Sequence, residues 1–499
     1  MTRRRKIAGP FLDAGSPRSR RLVFVVLVGA AALTILDVSK LGIALPVIQE
    51  DMGGDPITIQ LMLVGYTLAY AATLLPAGRI GDVLSRKGVF LTGLAIFTAS
   101  SVVCAVAPTV EVLVLARVVE GVGAGLLMPQ VLGLIQRIYP AAERAKPLAA
   151  LAAVTSLTSL LAPVLAGVIM DNFAPEIGWR VLFLVTVAVG VVLIPATIVV
   201  VREPPTERRR GFDGVGAGLL AAGVILTIAP FSAVSQSLPF APWMLIVTVV
   251  GCVLLGVFVV HERRTVRRSR EPLVDPTLFR LPHLSSGVLI SGFMHAAGTA
   301  GTLIVTIALQ QIGLLTPLET ALWMLPAAAA SIAGSWLASR VSPTNGVVVA
   351  MGTGVGAVAV AASGLAFAVS PRDALPALVA GLLCVSSFGA GLAAPANQAR
   401  TLLHAPGHRS SVAGSLIQCA QRVGSAVGMA LALIVYYAHL TDLTFAGQPS
   451  SGPALALWIV SIFLVAAAVV AMVDRVRRPS RAPGTDFSRE EPVVTSAVM

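Results

Sequence analysis

Leu36-Asp37-Val38-Ser39-Lys40-Leu41-Gly42-Ile43-Ala44-Leu45-Pro46 lies inside an apolar stretch that runs from Leu22 to Ile48. A stretch of that length and composition matches a membrane span, which needs about 20 mostly apolar residues. Asp37 and Lys40 interrupt its apolar character. An ionised side chain near a bilayer centre costs roughly 2.5–3.5 kcal/mol on insertion scales, so it faces protein or a water-filled cavity rather than lipid. Three residues apart, Asp37 and Lys40 share a helix face and can reach each other. They form either a structural ion pair between helices or part of a proton or substrate pathway.

The remainder of the chain has the same character. Its 499 residues are 56% hydrophobic and 12% charged, with a mean hydropathy of +0.86. A soluble chain carries about 25% charged residues. The expected class is therefore an all-α integral membrane protein with little soluble mass. Cys104, Cys252, Cys384 and Cys419 lie in apolar stretches at unrelated spacings, so neither a disulfide framework nor a metal site is expected. The apolar run after the basic start is longer than a signal h-region of about 7–15 residues and is not followed by an A-x-A-like site. It is expected to be an uncleaved first span.

Fourteen stretches are long enough to cross a bilayer: 22–47, 58–77, 88–107, 110–136, 147–170, 180–201, 213–235, 241–261, 284–309, 317–339, 346–369, 374–398, 411–438 and 453–473. With the N-terminus inside, most of the 36 lysines and arginines fall in the segments left on the inner face. That asymmetry obeys the positive-inside rule, accounts for the net charge of +12 without nucleic acid, and puts both termini in the cytoplasm. It does not choose between fourteen spans and twelve. The choice rests on 213–261, too long for one span and broken by the turn-like cluster Ser237-Leu238-Pro239-Phe240-Ala241-Pro242.

The expected organisation is a basic tail (1–21), a six-helix bundle (22–201), a linker with an inserted two-helix hairpin (202–283), a second six-helix bundle (284–473) and a polar, disordered tail (474–499). Two six-span halves suggest a pseudo-two-fold repeat with a site at mid-depth between them. Within the longer linker, Pro272 to Arg280 is either a short piece lying on the membrane surface or a plain connector. Clustered arginines there and in 202–210 are placed to meet anionic lipid heads.

Four further stretches carry recognisable patterns. After the second span comes Gly78-Arg79-Ile80-Gly81-Asp82-Val83-Leu84-Ser85-Arg86-Lys87, a tight charged turn suited to a latch. Asp82 there can pair with an arginine or accept from a helix N-terminus. A degenerate copy, Ser335 to Ser342, follows the tenth span, where a repeat would place it; Arg340 is kept and Ser339 stands where the acid would be. The fourth span holds Arg117-Val118-Val119-Glu120-Gly121, a second charged pair three residues apart. The fifth holds Ala162-Pro163-Val164-Leu165-Ala166-Gly167, small residues that allow close helix packing.

These stretches resemble motifs of the major facilitator superfamily. Gly78, Asp82, Arg86 and Lys87 match its loop signature G-x-L-a-D-r-x-G-r-k, while Val83 and Ser85 depart from it. Arg117 and Gly121 match R-x-x-q-G-x-g, with Glu120 in place of the usual Gln, and Pro163 and Gly167 match part of the antiporter motif. Leu36, Asp37, Ala44, Leu45 and Pro46 are similar to the first-span signature of the fourteen-span drug:proton antiporters, with Lys40 as a departure. The resemblance implies proton-driven export of amphipathic small molecules from the cell membrane, a latch that stabilises the outward-facing state, and a role for Arg117 in proton coupling. It implies no cofactor beyond the proton motive force, and a monomer in contact with membrane lipids.

Asp37, Lys40, Arg117, Glu120 and Arg422 are the candidates for proton coupling and the central cavity. Asp37 is the first choice of proton carrier, because burial favours its neutral form and Lys40 its charged form. Arg422 either meets Glu120 or Asp37 across the cavity or bonds carbonyls near a helix end. Gln130, His295 and Gln398 are candidate substrate contacts, each with a packing role as the alternative. No G-x-x-x-x-G-K-[ST] or H-E-x-x-H pattern occurs, which argues against an ATP-driven pump and an intramembrane metalloenzyme. Lipid or metabolite export and proton-coupled uptake are the alternative transport readings, and a non-transporting scaffold is the rival outside transport.

Overall fold

The computed structural model describes residues 17–53, 56–139, 143, 145–201, 213–232, 242–268, 272–274, 276–311, 314–340, 346–402, 410–439 and 451–477. Among them the chain is all-helical, with fourteen α-helices. These are α1 (Pro17–Met52), α2 (Pro56–Val83), α3 (Arg86–Ala105), α4 (Val110–Ile138), α5 (Ala145–Asn172), α6 (Pro175–Val200), α7 (Gly214–Ser232) and α8 (Pro242–Arg267). They continue with α9 (Leu284–Gln311), α10 (Pro317–Arg340), α11 (Gly346–Val369), α12 (Leu375–Leu402), α13 (Ser410–Ala438) and α14 (Ser451–Arg477). Twelve are long and apolar enough to cross a membrane. The other two are α7, whose apolar stretch Gly214–Pro230 is short, and α4, which carries Arg117 and Glu120.

Eight helices hold an internal proline, from Pro46 in α1 to Pro395 in α12. Proline in the interior of a water-exposed helix costs about 3 kcal/mol. In a bilayer it is tolerated, because neighbouring helices and Ser or Thr side chains satisfy the freed backbone groups. The first and last helices outrun their apolar stretches. α1 starts inside the expected N-terminal tail, and α14 continues four residues into the expected C-terminal tail, through Asp474 to Arg477. Residues 478–499 and the breaker at Ser237 lie outside the described residues.

Packing is repeated along the chain. Within α1–α6, α1 packs on α5 and α6, α2 on α4, and α3 on α4 and α6. With α7 and α8 set aside, α9–α14 show the same pairs in the same order: α9 on α13 and α14, α10 on α12, and α11 on α12 and α14. The strongest contacts between the two sets are α2 with α13 and α5 with α10, which exchange under a two-fold operation. Glycine makes these crossings close. A Cβ on Gly167 of α5 would stand 2.6 Å from the Cα of Leu318 in α10, so the antiporter-like Pro163–Gly167 motif sits where the two sets touch. Gly424 and Gly428 of α13 likewise lie against the backbone of Gly292 and Ala296 in α9.

α7 packs against α2 and α13, and α8 packs on α7. α8 exposes Leu245, Ile246, Val249, Val250, Val253 and Val257 along one side, a lipid-facing stripe at helical spacing. Its inner end is anchored by polar groups. His261 Nε2 lies 2.8 Å from Asp213 Oδ2, whose other oxygen caps α7 by accepting from Gly216 N–H at 2.8 Å. Buried Glu262 accepts from Val274 N–H at 3.1 Å. The Pro272–Arg280 segment therefore packs onto protein, with Leu273, Val274 and Leu278 buried against α8 and α9 and Phe279 exposed.

Candidate functional site

Helical spacing brings Asp37 and Lys40 together, as expected: Lys40 Nζ stands 2.9 Å from Asp37 Oδ1. The same spacing on α4 puts Arg117 Nη1 2.6 Å from Glu120 Oε2. Packing of α1 on α4 then joins the two pairs, because that same Nη1 lies 2.5 Å from Asp37 Oδ2. The result is an unbroken series, Lys40–Asp37–Arg117–Glu120, with alternating charge and none of its residues more than 1% exposed.

Neighbours from α2, α3 and α6 complete the network. Lys40 donates to the Leu182 carbonyl at 2.9 Å and to the Thr186 hydroxyl, and stands 4.7 Å from the Phe183 ring centroid. Ser101 donates to Glu120 Oε1, and Cys104 Sγ lies 3.8 Å from Glu120 Oε2. The Arg117 guanidinium carbon stands 4.1 Å over the Tyr66 ring. Gly121 and Gly125 lie against the backbone of Tyr66 and Tyr70, which lets α4 approach α2 closely enough for that stacking. A charge buried in low dielectric is tolerable only when paired and hydrogen-bonded. Each of the four meets that condition through a partner on another helix.

This geometry corrects one expectation. Asp37, Lys40, Arg117 and Glu120 do not line an open central cavity; they are enclosed within α1–α6. Nor does Arg422 meet either acid. It projects from α13 to α2, with its guanidinium carbon 4.4 Å from the Tyr70 ring. Tyr70 meets Tyr66 edge-on at 6.2 Å, so two tyrosines separate Arg422 from Arg117.

The residues of the charged turn assemble where α2 ends and α3 begins. Asp82 Oδ1 is 2.5 Å from Arg86 Nη2 and 3.8 Å from Arg137 Nη2 at the end of α4. Arg86 donates to the Pro129 carbonyl at 3.4 Å, and Lys87 to the Ile198 carbonyl of α6 at 2.8 Å. Gly78 packs against Pro129. Ser85, a departure from the family signature, caps α3 by accepting from Gly88 N–H at 2.9 Å. Asp82→Asn is expected to lower transport several-fold while changing stability by less than about 1 kcal/mol, since the pair is part-exposed. Uptake into everted vesicles, normalised to protein in the membrane, checks it; undiminished transport would remove the latch role. In the degenerate copy Arg340 stacks on Trp336 at 3.7 Å instead.

Gln130 takes the packing alternative. It is wholly buried between α2 and α4, donating to the Ala77 carbonyl at 2.7 Å, and has no surface for a substrate. Gln398 is exposed, while its neighbour Asn397 is the buried amide, donating to the Gly287 carbonyl at 2.8 Å and the Ser291 hydroxyl at 2.9 Å. His295 is partly buried in α9, with Nδ1 3.0 Å from the Ser291 carbonyl.

Two polar clusters were not read from the sequence. At the inner ends of α9, α12 and α14, Asp474 accepts from Arg400 and lies 2.7 Å from His283 Nδ1. At the opposite face, Trp179 Nε1 donates to Asp51 at 2.8 Å and Arg180 pairs with Asp51 at 3.2 Å, tying α6 to the end of α1. Trp179 and its acid partner are 128 residues apart in the chain.

Many apolar helices with charge sealed within their packing define a multi-pass membrane protein. The chain belongs to the Major Facilitator Superfamily, whose family model matches residues 27–429. It is 33% identical over 327 residues to the "Probable actinorhodin transporter" of Streptomyces coelicolor, covering 65% of this chain but only 56% of that relative. It is 30% identical over 431 residues to the "Lincomycin resistance protein" of Streptomyces lincolnensis, covering 84% of this chain and 85% of the relative. Among solved structures, a bacterial homologue of the lysosomal transporter Spinster in an inward-facing, occupied conformation superposes with a TM-score of 0.65 at 16% identity, covering 94% of this chain and all of that one.

Proposed function

We propose that this chain is a proton-coupled antiporter that exports amphipathic small molecules by alternating access. The single observation that carries the proposal is the enclosed series Lys40–Asp37–Arg117–Glu120. Asp37 holds two cations, one on each carboxylate oxygen, whereas Glu120 shares only the guanidinium nitrogen that Asp37 also uses. Protonating Glu120 leaves Asp37 with both of its cations, and so disturbs the network least. Glu120, rather than Asp37, is therefore the proton carrier in this mechanism. When Glu120 is neutral, Arg117 is held by Asp37 alone, and the tie between α1 and α4 changes. That difference biases the two conformations, as any coupling ligand must. Membrane potential adds about 2.3 kcal/mol per charge moved per 100 mV. No cofactor beyond the proton motive force enters.

In this reading α1–α6 and α9–α14 are two six-helix bundles related by a pseudo-two-fold axis, and they rock about the α2–α13 and α5–α10 crossings. The repeated packing supports it. α7 and α8 form an inserted hairpin, making fourteen spans with both termini cytoplasmic. A topology reporter fused near Ser237 is expected to read the outer face and one near Thr265 the cytoplasm; an inner reading at Ser237 would leave twelve spans. The protein acts as a monomer in the cell membrane. Export, rather than uptake, is supported by relatives named for lincomycin resistance and for tetracenomycin C resistance and export.

Everted vesicles loaded with a pH dye test the function. Adding a transported compound to acidified vesicles is expected to release protons and restore fluorescence. Uptake symport gives no such release under that arrangement, and a scaffold gives none with any compound.

A further inference from the structure

Resting on the transport reading, we infer that Arg422 is the counter-charge for an anionic group on the substrate, so that the transported class is amphipathic acids rather than cations.

Among the described residues, the middles of α9–α14 contain two basic side chains, Arg422 and His295, and no acid. Both lie near the same α9–α13 crossing, which is close at Gly292 and Gly424. Both keep some accessible surface near the middle of their helices. Arg422 has no carboxylate within 4 Å among the described residues, and its neighbour is the Tyr70 ring across the junction of the two helix sets. An arginine without an acid partner at such depth is costly, and residues of this kind mark substrate or ion pathways.

The acids that might have answered it are spoken for. Asp37 and Glu120, the two acids placed mid-helix in α1–α6, are fully enclosed and already paired with Arg117 and Lys40. Reaching them from Arg422 would mean displacing Tyr66 and Tyr70. The junction therefore presents positive charge beside a tyrosine, with the hydroxyls of Thr299 and Ser425, 2.9 Å apart, on the same α9–α13 crossing. A guanidinium suits a carboxylate or phenolate, which it grips through paired N–H donors. A cationic drug would instead meet like charge without a free acid to offset it.

Three probes share one ring system and differ in charge: 1-pyrenebutyrate, 1-pyrenebutanamide and 1-pyrenebutylammonium. Their binding is measured by equilibrium dialysis on the purified full chain in lipid nanodiscs, with empty nanodiscs as the blank. The butyrate is expected to bind tightest and the ammonium weakest. Arg422→Gln is expected to weaken butyrate binding about 10- to 100-fold, the loss of one charge-assisted hydrogen bond, and to leave the amide within a few-fold. Arg422→Lys should recover part of it, and the comparison among probes on the parental chain stands even if the Gln variant does not fold. Ammonium binding equal to or tighter than butyrate, no butyrate binding, or unchanged butyrate binding in Arg422→Gln would each overturn the inference. The transport reading is judged separately, by proton release from vesicles carrying the parental chain. Release by cationic compounds alone would sink the inference and leave that reading standing.

Discussion

Arg117→Met is expected to destabilise the protein by about 3–5 kcal/mol, the usual cost of removing one partner from a buried ion network. One guanidinium nitrogen holds Asp37 at 2.5 Å and Glu120 at 2.6 Å, so its loss leaves two enclosed carboxylates with Lys40 as their sole cation. The stacking on Tyr66 goes with it. Thermal unfolding of the detergent-solubilised protein, and its amount in the membrane, should both fall steeply. Adding Glu120→Gln to Arg117→Met removes one anion along with the cation and keeps the Lys40–Asp37 pair. The double variant should regain most of the stability without regaining proton-coupled transport. A single Arg117→Met variant as stable as the parent would mean that the network does not hold these helices together.

Glu120→Gln should behave in the opposite way, keeping the fold and losing the coupling. The amide has nearly the shape of the protonated acid, can still hydrogen-bond Ser101, and leaves Asp37 with Lys40 and Arg117. Stability is expected to stay within about 1–2 kcal/mol of the parent. Proton release from everted vesicles on adding a transported compound should drop to background. Asp37→Asn, by comparison, orphans Lys40 and removes one of the two anions on Arg117, so it should unfold at markedly lower temperature. Adding Lys40→Met to it should restore much of that loss. If Asp37→Asn instead stays folded and loses coupling while Glu120→Gln keeps it, Asp37 is the carrier.

What the residues alone determined is what short-range geometry determines. Apolar stretches of bilayer length are legible because lipid leaves a spanning helix no alternative way to satisfy its backbone. Asp37 with Lys40 and Arg117 with Glu120 are legible because three residues along a helix is about one turn, and Asp82 with Arg86 because both lie in one tight turn between α2 and α3. Tertiary structure decided how those pairs combine. Nothing local states that Arg117 would reach Asp37 rather than leave it to Arg422, because that depends on Gly121 and Gly125 bringing α4 against α2 and on α1 lying beside α4. The burial of Gln130, the choice of Asn397 over Gln398 for the inner face of α12, and the capture of Asp474 by Arg400 and His283 are likewise matters of helix rotation. A side chain's distance along its own helix is set by the chain, about 1.5 Å per residue. Which neighbour it meets is set by the fit of whole helix surfaces, a sum over many small contacts that no single stretch contains.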